Sequence, residues 1–174
     1  MREEYIFLSV SLAVFLAALI IRRLTGIHAE KRRKARKIYR ELQTIEDPAE
    51  RFRIMRRMDA YAFEELVIHA LRKHGYLSWH GSRYSGDGGI DGYVLIHGHI
   101  SLLQDKRYSH DINPSHVSAF ALLCRRRRKT GYFIHTGRTR KASWEAARNS
   151  MVRIISGERL LLLIDKNSNF NLED

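Results

Sequence analysis

Apolar and polar positions divide the chain into three parts. Residues 5–21 are uncharged and apolar, residues 25–57 are mostly polar with a helical composition, and the chain from 58 onward alternates apolar runs with turns. As a helix the first run would reach about 25 Å, near the short end of a membrane span. The pattern predicts a transmembrane anchor at 1–24, a basic juxtamembrane helical stalk at 25–57 that has no core of its own, and a globular domain at 58–174.

Within the globular domain the periodicity alternates between helix and strand. Apolar residues from Phe63 to Leu71 recur at helical spacing, Asp59 can cap that helix, and Gly75 can end it. We expect strands at 77–83, 93–96, 100–107, 131–136 and 152–155, helices at 114–129 and 139–150, and a helix or strand at 157–164. The order αβββαβαβ predicts an α/β fold with a mixed central sheet and helices on both of its faces.

The charge of the chain indicates an anionic partner. The net charge is +12 and most of the basic excess lies in residues 22–57. Such a balance favours nucleic acid or an anionic membrane surface. The single cysteine, Cys124, excludes an internal disulfide and any multi-cysteine metal site, and we expect it to be a small buried apolar residue.

The apolar run at 5–21 fits a retained anchor better than its rival, a cleaved signal peptide. A signal peptide has basic residues before its apolar run, whereas here the basic cluster follows it. The positive-inside rule then places the N-terminus outside and the domain in the cytoplasm, as a single-pass protein of the inner membrane. The cluster at 31–37 favours contact with anionic lipid headgroups, and contact with DNA is the alternative.

Candidate chemistry concentrates around a predicted hairpin. Gln104 and Lys106 share one face of their strand and Asp105 points to the other. If the strands at 93–96 and 100–107 pair, Asp91 lies across from Gln104 and Lys106. A carboxylate and an amide oxygen suit a hard cation such as Mg²⁺, and a nearby lysine can orient a water or a phosphate. By spacing alone this signal is moderate, because aspartates in glycine-rich turns are often purely structural.

The residues of the motifs themselves are more specific evidence than their spacing. Four segments occur in order: FEELVIHALRKHGY, SGDGGIDG, LLQDKRY and GYFIHTGRTRKASWEAA. Together they resemble the Mrr-like restriction endonuclease domain, a branch of the PD-(D/E)xK nuclease superfamily with a Gln-x-Lys variant of its third motif. The resemblance covers about residues 58–165 and implies a restriction-endonuclease-like fold. It also implies an Mg²⁺-dependent endodeoxyribonuclease, with Mn²⁺ as a substitute, that restricts foreign or modified DNA.

The resemblance also assigns residues. It implies that Asp91 binds the metal, that Gln104 and Lys106 form the third motif, that Glu64 assists the metal site, and that Asp87 supports it from behind. Two positions depart from the family pattern. Asp105 stands where a small or apolar residue is usual, so it faces the opposite side of the sheet or is turned toward the metal by a bulge. His135 stands where threonine is frequent.

Double-stranded DNA is the expected substrate, and a homodimer would supply two active sites for cutting both strands. The expected DNA contacts are Arg107, Arg125, Arg126, Arg127, Arg128, Lys129, Arg138 and Lys141. The run at 125–129 could also be a solvated helix end that favours the helix dipole. Two other classes of function remain open: a non-catalytic DNA tether at the membrane, and a membrane scaffold for a protein partner.

Overall fold

The computed structural model describes residues 29–81 and 89–174, and these form six helices around a five-stranded sheet. Helix α1 covers residues 29–42 of the described chain. The later helices are α2 (Pro48–Arg57), α3 (Ala60–Lys73), α4 (Pro114–Arg127), α5 (Lys141–Arg148) and α6 (Gly157–Ile164). The strands are β1 (Leu77–His80), β2 (Gly92–Ile96), β3 (His99–Lys106), β4 (Gly131–His135) and β5 (Val152–Ile155).

The sheet is mixed, and its strands lie in the order β1-β2-β3-β4-β5. Strands β1, β2 and β3 form an antiparallel meander in which Gly92 pairs with both His80 and Leu103. Strands β3, β4 and β5 are parallel, so each connection between them needs a crossover, which α4 and α5 provide. The ends of β1, β3 and β4 and the start of β2 therefore meet at one end of the sheet, which we call the carboxyl end.

Alternating side chains build one apolar core on each face of the sheet. Leu103 and Ile134 pack with α3 and α6 on one face. Leu102 and Phe133 pack with α4 and α5 on the other face, where Cys124 is fully buried as expected. The sequence of a strand that is buried on both faces is a nearly continuous apolar run, as in β4. The predicted α/β class with helices on both faces is confirmed.

The predicted helices and strands of the domain are present, several of them with shorter bounds. Strand β1 ends at His80 rather than 83, α5 occupies eight residues, and the segment 157–164 is a helix. Asp59 caps α3 by accepting the Ala62 N–H at 3.0 Å. Asp87 lies outside the described residues, as does the apolar run at 5–21. In the described ranges 29–81 and 89–174, no helix has the length and apolar content needed to cross a bilayer.

The prediction that residues 25–57 form a stalk outside any core is wrong for the described part of that segment. Ala35, Tyr39 and Leu42 of α1 and Met55 of α2 are buried in the same core as α3. The Gln43 amide also donates to the carbonyl of Ile164 at 2.9 Å, which fixes the end of α1 to the end of α6. Helices α1 and α2 are therefore an outer layer of the domain.

We expect Leu42→Ala to lower the free energy of unfolding by about 2–5 kcal/mol, because its side chain is fully buried and truncation leaves a cavity. The matched control is Leu162→Ala on α6, where the side chain is 42% exposed and the cost is about 1 kcal/mol or less. Urea denaturation of both variants measures the difference. Equal midpoints would show that α1 does not pack on the domain in solution.

Candidate active site at the carboxyl end of the sheet

The candidate site lies where β2 begins beside the end of β3. The Asp91 N–H donates to the Leu103 carbonyl at 2.9 Å, although Gly92 is the residue that pairs with Leu103. The ladder therefore stops before an Asp91–Gln104 pair forms. In its place the Asp91 Oδ2 accepts the Asp105 N–H at 2.7 Å. The side chain of Asp91 thus substitutes for a strand at the end of β3, which holds its carboxylate in a fixed position.

Gln104 lies on the face of the sheet that packs against α4. It pairs with Phe133, which belongs to the core on that face. Its Nε2 donates to the Gly89 carbonyl at 2.8 Å, and its Oε1 is buried without a hydrogen-bond partner in the described structure. Gly89 has φ of 103°, and a Cβ there would lie 2.4 Å from the Gln104 Nε2. The glycine is therefore needed both for the turn and for the space that Gln104 occupies.

Asp105 lies on the opposite face, toward α3, and no bulge interrupts the pairing of β3 with β4. Its side chain is 7% exposed, and neither carboxylate oxygen has a hydrogen-bond partner among the described residues. Burial raises the pKa of this carboxyl well above its ordinary value, and the charges of Asp91 and Glu64 raise it further. Asp105 is thus a buried acid that faces two other acids.

A carboxylate and an imidazole form a pair close to Asp105, between α3 and the end of β1. Glu65 is 4% exposed, and its Oε2 lies 3.1 Å from the His80 Nε2 at the end of β1. Burial alone would raise the pKa of the Glu65 carboxyl, but contacts with His80 and Tyr61 bring it below its ordinary value. Burial likewise raises the pKa of Asp91, against the opposing effects of the Asp105 N–H, Lys106 and His80.

These placements divide the predicted metal ligands between the two faces of the sheet. Glu64 belongs with Asp105 on the α3 side, Gln104 faces the α4 side, and Asp91 lies at the strand end between them. Lys106 is half-buried beside Asp91 and Asp105, and its charge lowers the pKa of both carboxyls. Asp91 can therefore act with either of two partners, Gln104 or Asp105.

The donor atoms fit a hard divalent cation. The oxygens of Asp91, Gln104 and Asp105 are of the type that Mg²⁺ prefers, and three of these buried oxygens have no protein partner in the described ranges. Across residues 29–81 and 89–174, no three His, Cys, Asp or Glu side chains form a complete metal-binding group. Mg²⁺ commonly uses one or two carboxylates and keeps several waters, so a smaller set of ligands suffices for it.

Basic side chains reach this end of the sheet from several elements. Arg107 follows β3 directly and its guanidinium donates to the Arg56 carbonyl at 3.2 Å. Arg56, which sequence reasoning missed, donates from Nε and Nη2 to the Thr136 carbonyl at 3.0 and 2.8 Å. Arg138 follows β4 and pairs with Asp111, and Lys141 is exposed at the start of α5.

The run at 125–129 lies elsewhere, apart from the other expected DNA contacts. It ends α4 beside the start of β4, where the Lys129 N–H donates to the Cys124 carbonyl at 3.0 Å. Strand β3 runs about 13 Å from its contact with the start of β4 to Lys106. These cations are therefore at the opposite end of the sheet from Asp91, and any contact of theirs with DNA stays a prediction.

His135 is fully buried and does not face an open groove. Its Nδ1 accepts the Gly137 N–H at 3.1 Å, so its Nε2 carries the proton and donates to the Thr139 hydroxyl at 3.1 Å. The hydroxyls of Thr139 and Ser156 share a hydrogen bond of 2.8 Å. Burial lowers the pKa of His135 to about 4. The residue is thus a neutral link between the loops that follow β4 and β5.

A mixed sheet between two helical layers, with a carboxylate, an amide and a lysine at adjoining strand ends, defines a nuclease-like α/β domain. The Mrr catalytic-domain family (Mrr_cat), described as a restriction endonuclease, matches residues 55–164. The chain belongs to this family of restriction endonucleases. Family and fold imply a DNA-cleaving hydrolase, and domains of this kind usually use divalent metal ions.

Comparison with solved structures gives a similar fold. The MspJI restriction endonuclease, solved in complex with a 27-mer oligonucleotide, matches with a TM-score of 0.52 and 22% sequence identity. The match covers 75% of this chain and 35% of that chain, so this protein spans about a third of its length. At this identity the similarity shows the fold alone. No curated protein matches the sequence.

We expect Asp105→Asn to stabilise the metal-free protein by about 1 kcal/mol or more at neutral pH, because it removes an acid that must either hold a proton or carry an unpartnered charge when buried. A raised pKa means that the folded state holds the Asp105 proton more tightly than the unfolded state. The contribution of Asp105 to the free energy of unfolding is therefore fully present below about pH 4 and is lost as the pH rises.

Urea denaturation in EDTA, at several pH values between 4 and 8, tests this expectation. The gain from Asp105→Asn should grow with pH, and other titrating groups such as His135 cancel in the comparison of the two proteins. A gain that is the same at every pH, or a loss that grows with pH, would contradict the assignment of Asp105 as a buried acid with a raised pKa.

Proposed function

We propose that this protein is a metal-dependent DNA endonuclease, held at the cytoplasmic face of the inner membrane by residues 5–21, that restricts foreign or modified DNA. The observation that carries the catalytic part is the bond from the Asp105 N–H to the Asp91 carboxylate. This bond holds the acid at the strand end where an amide oxygen and a lysine also lie. The match to a family of restriction endonucleases supports a catalytic role for these groups.

Each side chain then has a defined task. Asp91 would bind the divalent cation, Mg²⁺ or Mn²⁺, with Gln104 Oε1 as a second ligand and Glu64 in support. When bound, the cation supplies a polarised water and neutralises charge on the scissile phosphate. Lys106 would hold its ammonium against a phosphate oxygen or the attacking water. Asp87, which lies outside the described residues, keeps its proposed supporting place behind the ligands.

Asp105 offers a second version of the ligand set. Its oxygens are buried and have no partner within the described chain. The charges of the nearby Asp91 and Glu64 raise its pKa. A cation on the α3 side would have Asp91 and Asp105 as ligands, whereas one on the α4 side would have Asp91 and Gln104. Carboxylates bind Mg²⁺ more strongly than an amide oxygen, so Asp105 could supply the charge that Gln104 lacks.

The positions of the basic residues support DNA as the partner. Arg107, Arg138 and Lys141 lie at the carboxyl end of the sheet, together with the previously unexpected Arg56. A backbone of phosphates is bound through such cations, and affinity then falls steeply with salt. Cutting both strands would need two copies of this single-site domain, and a homodimer is the simplest arrangement.

Supercoiled-plasmid cleavage by the full chain in a non-ionic detergent tests the catalytic proposal. The full chain is needed because a fragment that begins at residue 58 would remove buried residues of α1 and α2. With Mg²⁺ or Mn²⁺ we expect nicking, and EDTA should abolish it. Asp91→Ala and Lys106→Ala should each lower the rate by about a hundredfold or more, because they remove a metal ligand and a charge at the reacting phosphate.

Arg53→Gln is the matched control, since it removes an exposed charge on α2 outside the expected DNA contacts and should leave the rate unchanged. Both unmodified and methylated plasmid should be tried. If the folded protein binds DNA but cuts neither plasmid with any metal, the non-catalytic tether is the better description. If it has no affinity for DNA, the membrane scaffold for a protein partner replaces both.

The two ligand sets give different results in a metal titration. We expect Mn²⁺ to raise the thermal midpoint of the wild-type protein, because a bound ion stabilises the folded state. If Gln104 is the second ligand, Gln104→Ala lowers the apparent Mn²⁺ affinity about tenfold or more and Asp105→Asn does not. The reverse result would assign the second ligand to Asp105. A midpoint that Mn²⁺ leaves unchanged in all three proteins would contradict a metal site here.

A further inference from the structure

A basic cavity of about 680 Å³ lies on the outer layer of the domain, away from the candidate active site. It is formed by α1, the second half of α3 and the segment after α6. The charged residues that line it are Arg33, Arg36, Arg40, Lys73 and Lys166, together with His69 and Tyr39. Among the described residues, no Asp or Glu lines it. This lining is suited to an anion rather than to a divalent cation.

The three arginines of this cavity follow one face of α1. Positions 33, 36 and 40 are separated by three and four residues, which places their side chains on the same side of a helix. In the described chain none of the five cations has a carboxylate within ion-pair distance. The neighbouring Lys31 and Lys34 differ, since both contact Asp59 at 3.0 and 3.5 Å. The cations of the cavity are therefore available to an external anion.

Positive charge predominates at the middle of the cavity. Burial lowers the pKa of His69, and the charges of Lys73, Arg36 and Arg72 lower it further, against a smaller opposing effect of Glu65. The edge of Tyr39 meets His69 with ring centroids 4.7 Å apart. The Tyr39 hydroxyl is buried and has no hydrogen-bond partner among the described residues, although the charge of Asp165 reaches it. Polar groups are thus present without the partners that buried groups normally have.

The elements that carry these cations are fixed in place. Ala35 and Leu42 anchor α1 in the core, and the Gln43 side chain donates to Ile164 and accepts the Lys166 N–H at 3.0 Å. A site on rigid elements loses little conformational freedom when its ligand binds. Guanidinium groups on such a frame favour phosphate, since they can donate two parallel hydrogen bonds to its oxygens.

We propose that this cavity binds a phosphate group, either at the head of an anionic lipid or on a small soluble molecule. Its position makes it separate from the DNA-cleaving end of the domain. His69 lies one helical turn beyond Glu65, and Lys73 lies about 12 Å beyond it along α3, away from Asp91. Occupation of the cavity would hold α1 against α3 and would leave the strand ends at the candidate active site open.

The test compares two triple variants of the full chain that remove equal charge from exposed helical positions. One is Arg33→Gln, Arg36→Gln and Arg40→Gln in the cavity. The other is Arg125→Gln, Arg126→Gln and Arg127→Gln at the end of α4. Inorganic pyrophosphate, titrated by calorimetry in non-ionic detergent, probes the soluble source. Vesicles of phosphatidylcholine with and without phosphatidylglycerol probe the lipid source, and duplex DNA binding and plasmid cleavage are measured on the same proteins.

The proposal expects the cavity variant to lose affinity for pyrophosphate or for phosphatidylglycerol vesicles by about tenfold or more, while the α4 variant does not. Loss with pyrophosphate indicates a soluble ligand, and loss with vesicles alone indicates a lipid headgroup. Plasmid cleavage by the cavity variant should equal that of the wild-type protein, so the result does not depend on the nuclease. Equal affinities in the two variants, or a loss confined to DNA binding by the cavity variant, would overturn the proposal.

Discussion

The Asp91 carboxylate and the Asp105 backbone N–H share one hydrogen bond on which the candidate site depends. A strand end normally leaves its last N–H groups to water, and here a side chain from the neighbouring strand accepts one of them. Because the acceptor is a carboxylate, the bond is charge-assisted and strong. It fixes the acid relative to Gln104, Asp105 and Lys106. The position of the acid is thus set by the sheet.

Local sequence signals were sufficient for the sheet and for the adjacency of Asp91 to β3. Alternation identified the strands, and a short turn at His97-Gly98 made the pairing of β2 with β3 the simplest topology. The division of Gln104 and Asp105 between two faces follows from the same period of two. The partnership of Glu65 with His80 could not be seen in this way, since it depends on how α3 docks on β1 and not on spacing in either element.

One error has an identifiable cause. The buried residues of α1 form a narrow stripe, Ala35, Tyr39 and Leu42, within a helix that is otherwise charged, so composition indicated an exposed segment. The place of the run at 125–129 could not be inferred from its charge. That place follows from topology: a helix that returns the chain to the start of a parallel strand must end at that start, and therefore away from the strand's carboxyl end.

Arg56 joins the outer helical layer to the carboxyl end of the sheet, and this couples the position of α2 to that of the segments beside Lys106. Its guanidinium donates to the Thr136 carbonyl, and its own carbonyl accepts from Arg107. The Thr136 hydroxyl in turn accepts the Tyr108 N–H and donates to the Tyr108 carbonyl. A displacement of α2 would therefore move the segments that follow β3 and β4 together.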